Sequence, residues 1–440
     1  MSKALALVIV LVVVVALAGA LLYLTRPAPA PPPVTAPPTA PPAPAPVYIR
    51  FAGWSAGETE MKNYKAMISE FKKANPNIEV KYEVISQMFH ENILGSFAAG
   101  AAPDIFYVDS SWAQIFISKG ALYPIGDKLP ADFVNKFYPF LLNIFRGPDG
   151  KLYGVPKDWS ILSLFYNKKI LSQAGVPEPT EGWTWDDLFK YAKLIHQKTG
   201  KPGLVLQADF TRWVNYLISY GAPPPVFASA ADASYFDKPE VKNALKKLIE
   251  EVNKGRKEGY IVLPSDVNAG WNGEAFGKEL AAMTIEGSWT IPYLADVFPN
   301  FKYGSDWDIA LVPKGPAGRA TMAYTVALGV NARTEHLDEA LKFIQFIEGE
   351  EGQKLLVVKM GHTLPSITTL AKDPNLWPSH AKELDMVNKY DKVQGFTYGQ
   401  KTGELESKFS QIMLSAFRGE ITADDALGLL KDKVVESFKG

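Results

Sequence analysis

Four short stretches of this 440-residue chain set an indole close to a carboxylate: Trp54 with Glu58, Asp109 with Trp112, Asp158 with Trp159, and Glu286 with Trp289. A carboxylate is acceptor-only when ionised and takes two hydroxyl hydrogens at once. Each hydrogen bond to such a charged group contributes roughly 1.5–3 kcal/mol net. An indole offers a flat apolar plane. A sugar ring carries one face of C–H groups and a rim of hydroxyls, so two or three Trp with two or three Asp or Glu are what it asks for. The sharpest instance is Glu286-Gly287-Ser288-Trp289, where a buried-type strand, Ala281 to Ile285, runs into a glycine turn that presents Trp289 at a helix start.

Other chemistries lack their residues. The absence of cysteine excludes thiol catalysis, Cys-ligated zinc and disulfides. The five histidines (His90, His196, His336, His362, His380) form no His-Glu-x-x-His pattern, and no metal or cofactor is called for. Ser69 and Lys72 match a serine–lysine spacing but lie on an amphipathic helix. No phosphate-cradling glycine pattern follows the first strand. Net charge is −1, so no global field points to nucleic acid or anionic lipid. A glycoside hydrolase stays open on the residues alone, because its two carboxylates obey no sequence spacing. A structural surface module would show repeats, and none is present.

The chain is long enough for two or three domains. Its central stretch is Gly150 to Leu171, GKLYGVPKDWSILSLFYNKKIL. A Gly/Pro turn leads into a dense apolar segment, Trp159 to Tyr166, of strand length. It reads as a hinge strand leaving one lobe for another, with Asp158 and Trp159 at the cleft. Before it, strands at 47–54, 78–85 and 104–108 alternate with helices at 58–74 and 89–99, the pattern of a parallel sheet. Ligands bind beyond the carboxyl ends of such strands, which puts Trp54, Glu58 and Asp109 to Trp112 on one rim. Beyond the hinge, helices are expected at 167–175, 184–199 and 239–254, and Tyr324 lies on a strand that can face the cleft.

The N-terminus is an export or anchoring device. The uncharged run Ala4 to Leu24 spans roughly 30 Å as a helix, the thickness of a bilayer core. Ala18-Gly19-Ala20 also fits a signal-peptide cleavage site. Next, 11 of the 20 residues from Pro27 to Pro46 are proline, an extended stalk up to roughly 60 Å long.

From Val47 onward the order of segments resembles the extracellular solute-binding proteins of ATP-driven sugar importers, the maltose-binding type (family 1). "NPNIEVKYEV", "AAGAAPDIFYVD", "GALYPIGDKL" and the hinge stretch carry the resemblance, followed by "WTWDDL", "ELAAMTIEGSW", "DIALVPKGPAGR", "EALKFIQFIEGEEGQKLL" and "GHTLPS". It implies an α/β, two-lobed periplasmic-binding-protein-like fold (class II) with three interlobe crossings and the ligand in the cleft. The expected organisation is a membrane anchor or signal at 1–26, a stalk at 27–46, an N-lobe of 47–157 and 314–360, and a C-lobe of 158–313 and 361–440. The family places a carboxylate and an aromatic ring at Asp209 and Phe210, a loop residue at Trp271, and a stacking Trp at Trp289. Two positions depart from the pattern: Ser160 replaces a hinge-side glutamate, and Thr402 to Glu406 contains no stacking Trp. The implied function is a tethered, extracellular monomer that captures a sugar, such as a maltodextrin or trehalose, and hands it to an ABC permease. The alternatives are the hydrolase above or a receptor for glycerol phosphate or peptide.

Overall fold

The computed structural model describes residues 3–25, 45–54, 58–395, 399 and 401–439. The proline-rich stretch 27–44 lies outside them. The chain divides into an N-terminal unit and a body from Pro46 onward. Within the first unit, Lys3–Leu24 form one helix of 22 residues, long and apolar enough to cross a bilayer.

Among the described residues the body holds ten strands: β1 Val47–Gly53, β2 Ile78–Val84, β3 Ile105–Asp109, β4 Gly154–Asn167, β5 Leu204–Val205, β6 Ile261–Val262, β7 Met283–Gly287, β8 Trp307–Ala310, β9 Ala320–Val330 and β10 Lys392–Gln394. They run in the order β2-β1-β3-β9-β4-β7-β5-β6, with β10 beside β9 and β8 beside β4. β1 pairs in parallel with β2 and β3, and β5 with β6 and β7, as strand–helix alternation leads one to expect. The sheet is nevertheless mixed. β9 lies antiparallel against β3 and β4, and β4 antiparallel against β7 and β8.

Local signals fix the helix ends. Asn167 accepts from the Ile170 amide and Gly175 closes the Lys168–Ala174 helix with φ 66°, a left-handed stop that favours glycine. Thr184 and Asp187 form a reciprocal capping box on Trp185–Thr199, which ends at Gly200.

Buried apolar residues fall into two large cores. The smaller gathers Ile49, Phe51, Phe71, Phe106, Val155, Leu328, Phe343 and Val358, and the larger runs from Trp159 through Met322 and adds Leu405 to Val434. The chain passes from one core to the other inside β4, between Val155 and Trp159; inside β9, between Met322 and Val326; and in the stretch after Val358, where Leu364 packs in the larger core, Ile367 to Leu376 return to the smaller, and Met386 is again in the larger. Ile309, Leu311 and Val312 all belong to the larger core.

β4 is buried along all 14 residues. Its register against β9 shifts between Pro156 and Asp158. Such a bulge re-aims side chains, and Lys157 and Asp158, neighbours in sequence, meet in one buried ion pair at 2.5 Å. The third passage is tied to β4 by Gln353. Its Oε1 accepts from the Ser366 and Ile367 amides at 3.1 and 3.2 Å, and the Ser366 hydroxyl donates to the Pro156 carbonyl at 2.6 Å.

Replacing Gln353 by Ala leaves both amides buried without an acceptor. At about 1–3 kcal/mol for each unsatisfied group, the expected loss in urea unfolding is roughly 2–4 kcal/mol. A loss below about 0.5 kcal/mol, the size of an ordinary surface change, contradicts that role.

Candidate functional site

Two cavities open between residues of the two cores. The larger, about 650 Å³, has His90 and Trp112 on one side, Gln207 and Asp209 on the other, and Glu406 and Ser410 along a third. The smaller, about 300 Å³, is bounded by Trp289, Tyr293, Trp377, Glu60, Asn63 and His362.

The smaller-core wall begins where β1 and β3 end. Trp54 stands edge-on to Phe89 and Tyr107, each with centroids 5.0 Å apart. Glu58 opens the helix Glu58–Ala74, and its side chain lies outside the described atoms. Asp109 accepts from the Ser111 amide at 2.8 Å and the Ser111 hydroxyl at 2.6 Å. Burial raises the Asp109 carboxyl above its ordinary range, against those two bonds. Trp112 stacks on His90 at 4.9 Å and 6°. On its other side the chain comes very close: a Cβ on Gly403 would lie 2.5 Å from Trp112 Nε1.

The larger-core wall is held by one guanidinium. Arg212 Nη1 donates to Asp209 at 2.6 Å, and Arg212 Nη2 reaches both Glu286 oxygens at 2.8 and 2.9 Å. Burial works against the Arg212 charge, but Glu286 and then Asp209 outweigh it and its pKa is raised. Glu286 is 0 % exposed, so it anchors Arg212 rather than reaching the cavity. Asp209, half-buried, does line it.

Glu406, on the helix Thr402–Phe417, completes the space between the walls. Burial first, then the charges of Asp109 and Asp209, push its carboxyl up to about 8, against Arg212 and the Ser111 hydroxyl. Carboxylates from both cores thus lie about one space, with Arg212 held by Asp209 and Glu286 and Arg418 also on the cavity wall. The indole of Trp289 meets Tyr324 edge-on at 5.1 Å. Burial raises the Tyr324 phenol above its usual range. Trp271 packs edge-on to Tyr293 at 4.8 Å, next to the smaller cavity.

The structure therefore brings Asp109, Trp112, Asp209, Trp289 and Tyr324 to the space between the cores. Besides Glu286, three expected contacts are placed elsewhere. Phe210 is 1 % exposed and packs among Trp213 and Phe409 in the core, because it begins the buried face of the Phe210–Ser219 helix. Trp159 is 3 % exposed and donates its N–H to the Pro365 carbonyl at 2.9 Å, which pins the third passage. Asp158 is 6 % exposed and sits against Lys157 and His362, whose charges and bonds lower its pKa although burial opposes them.

Sequence reasoning missed Arg212, Glu406, Ser111 and Trp377 as members of this space. Arg212 stands three residues after Asp209 at a helix start, a spacing that can pair them. No sequence signal joins Glu406 or Trp377 to it, since long-range folding alone brings them in.

Residues 55–354 match the family of bacterial extracellular solute-binding proteins. This chain belongs to that family. Among its relatives, an arabinooligosaccharide-binding protein of Bacillus subtilis is 26% identical over 361 residues, covering 77% of this chain and 76% of the relative. A maltotriose-binding protein of Pyrococcus abyssi is 23% identical over 329 residues, covering 72% and 66%. An ABC substrate-binding protein of Listeria monocytogenes in complex with cycloalternan superposes with TM-score 0.77 at 22% identity, covering 89% of this chain and 99% of that one. Maltose-bound MalE3 of Thermotoga maritima gives 0.76 at 20%, covering 88% and 99%. The architecture of this solute-binding protein is thus α/β and two-lobed, of the periplasmic-binding-protein type.

Glu406 supplies a test of the site's electrostatics. A carboxyl raised on folding from about 4.3 contributes stability below that pH and loses it as the pH rises through its folded value, here about 8. Glu406→Gln should therefore raise the Tm at pH 9 and leave it unchanged at pH 4. An equal shift at both pH values contradicts the assignment.

Proposed function

We propose that this chain is the receptor of an ABC importer that captures a sugar outside the cell, an oligosaccharide such as a maltodextrin or trehalose, and delivers it to the membrane permease. The observation that carries this is that each cavity sets half-buried indoles beside carboxylates: Trp112 with Asp209 and Glu406 in the larger, Trp289 and Trp377 with Glu60 and Asp296 in the smaller. The named sugars of the relatives favour the same class.

The two cores act as two lobes, and the passages in β4, in β9 and near Leu364 form the hinge. Closure follows from the ligand's better contacts when both walls reach it. The walls hold nothing that must be consumed or regenerated: Asp109, Asp209 and Glu406 accept hydroxyl hydrogens, and the indoles cover the C–H faces. The N-terminal helix, with the stretch that follows it, tethers the receptor at the outer face of the membrane. No step of this account requires catalysis, so the bound sugar is released unchanged.

Intrinsic tryptophan fluorescence provides the test, with maltose, maltotriose, trehalose, cellobiose, xylobiose, glucose and glycerol phosphate as probes. One sugar should give a saturable shift. Trp289→Ala should weaken it about tenfold or more, the equivalent of roughly 1.5–3 kcal/mol of lost apolar contact. A sugar that is cleaved during the titration would indicate a glycoside hydrolase, and a response to glycerol phosphate alone would move the receptor to another solute class.

A further inference from the structure

Behind Trp289 lies a set of buried polar side chains that the cavities do not use. The helix Pro378–Val387 follows directly on Trp377 and turns His380 and Glu383 inward, each 0 % exposed. The Ser163 hydroxyl of β4 donates to Glu383 Oε1 at 3.2 Å. Ser163 is also the register partner of Glu286 in β7, the strand that runs into the Gly287-Ser288-Trp289 turn, so the Glu383–Ser163 bond reaches the turn through the sheet, and the Ser288 hydroxyl lies near the same carboxyl. Ser288 Oγ, Thr290 Oγ1, Glu383 Oε2 and both ring nitrogens of His380 are buried, yet none completes a hydrogen bond of normal geometry. At about 1–3 kcal/mol for each such group, an apolar filling would hold this place better, so stability does not explain the residues chosen.

We propose that Glu383 is a positioning residue for the sugar site: through Ser163 and Ser288 it sets the turn that presents the Trp289 indole to the ligand. The inference rests on the sugar-receptor reading of that indole. The turn leaves Trp289 little freedom. Its ring lies against Gly287, where a Cβ would come within 2.3 Å of it, and its other neighbour is the edge of Tyr324.

The carboxyl does this work as the uncharged acid. Burial pushes it up to about 8, opposed by the Ser288 and Ser163 hydroxyls. Its neighbours His380, Tyr303 and Tyr390 do not titrate with it. His380 is pushed down to about 3 by burial and then by His362. Tyr303 and Tyr390 are raised above the phenol range, burial first, with the Glu383 charge adding to the effect. Asp308 of β8 is engaged with Lys382 at 2.8 Å. Ionising Glu383 therefore places a new charge beside the Ser163 and Ser288 hydroxyls, and the turn that carries Trp289 must adjust to it.

Fluorine NMR of the full chain in detergent, with 5-fluorotryptophan at its 10 Trp positions, tests this. Trp289→Phe identifies the resonance. Without sugar, the Trp289 signal should move with a midpoint near pH 8 and stay fixed in Glu383→Gln, whose amide keeps an uncharged donor and acceptor. Affinity for the sugar found by fluorescence should fall about tenfold from pH 7 to 9.5 in the natural chain, as linkage to one proton allows, and hold in Glu383→Gln. A Trp289 signal that stays fixed in the natural chain, or moves equally in Glu383→Gln, overturns the proposal. A titrating signal with no sugar bound keeps the positioning role and removes the sugar reading instead. Should Glu383→Gln not fold, Ser163→Ala combined with Ser288→Ala decides: together they cut both links to the turn, and an unchanged Trp289 titration there also overturns the proposal.

Discussion

The pairing of β4 with β9 is the constraint on which the rest of the molecule depends. These two antiparallel strands are the ones that pass through both cores, and every other strand attaches to one core or the other through them. A hinge made of two hydrogen-bonded strands bends as a unit while each core keeps its own packing. The bulge at Lys157 falls where the strands leave the smaller core. It gathers the buried Lys157 and Asp158 with the part-buried His362 into one cluster, with His362 Nε2 2.7 Å from the Lys157 ammonium, and so joins two of the three passages.

The cleft is governed by a charge imbalance. Arg212 pairs with Asp209 and Glu286 on one wall and acts on Glu406 from a distance, while among the described residues neither Asp109 nor Glu406 forms an ion pair. Two buried carboxyls in one space are costly when ionised. Hydroxyl donors placed between them relieve that cost. A polyol ligand therefore stabilises the closed arrangement through the same groups that disfavour it when empty. The family's stacking indole is missing from Thr402 to Glu406, and an acid stands there instead. Under the proposed function, that difference shifts recognition at this end of the cleft from ring stacking toward hydrogen bonding.

Much of the architecture was legible in the residues. Alternation gave β1 to β3 within a residue or two, and the capping signals at Thr184, Gly175 and Gly200 marked helix ends because capping is a local interaction. The mixed sheet was not legible, since strand–helix alternation says nothing of which strand is inserted antiparallel between others. The site was read in part. Residues just beyond strand ends, such as Asp109, Trp112 and Trp289, could be found from position alone. Phe210 and Trp159 were misplaced for one reason: an aromatic next to a carboxylate looks the same whether it faces a cleft or the core. Arg212, Glu406 and Trp377 join through contacts between distant segments that no spacing rule reports.

The most direct test of the central claim, closure on a sugar held between two lobes, is a distance measurement across the larger cavity. Gln87 and Ser265 are exposed on opposite sides of its mouth, one beside Phe89 of the smaller core and the other beside Leu263 of the larger. The chain has no cysteine, so Gln87→Cys with Ser265→Cys carries two spin labels at known places. The account predicts that saturating sugar gathers a broad range of label separations into one short, narrow distance. A distribution that stays the same while calorimetry shows the sugar bound would contradict it.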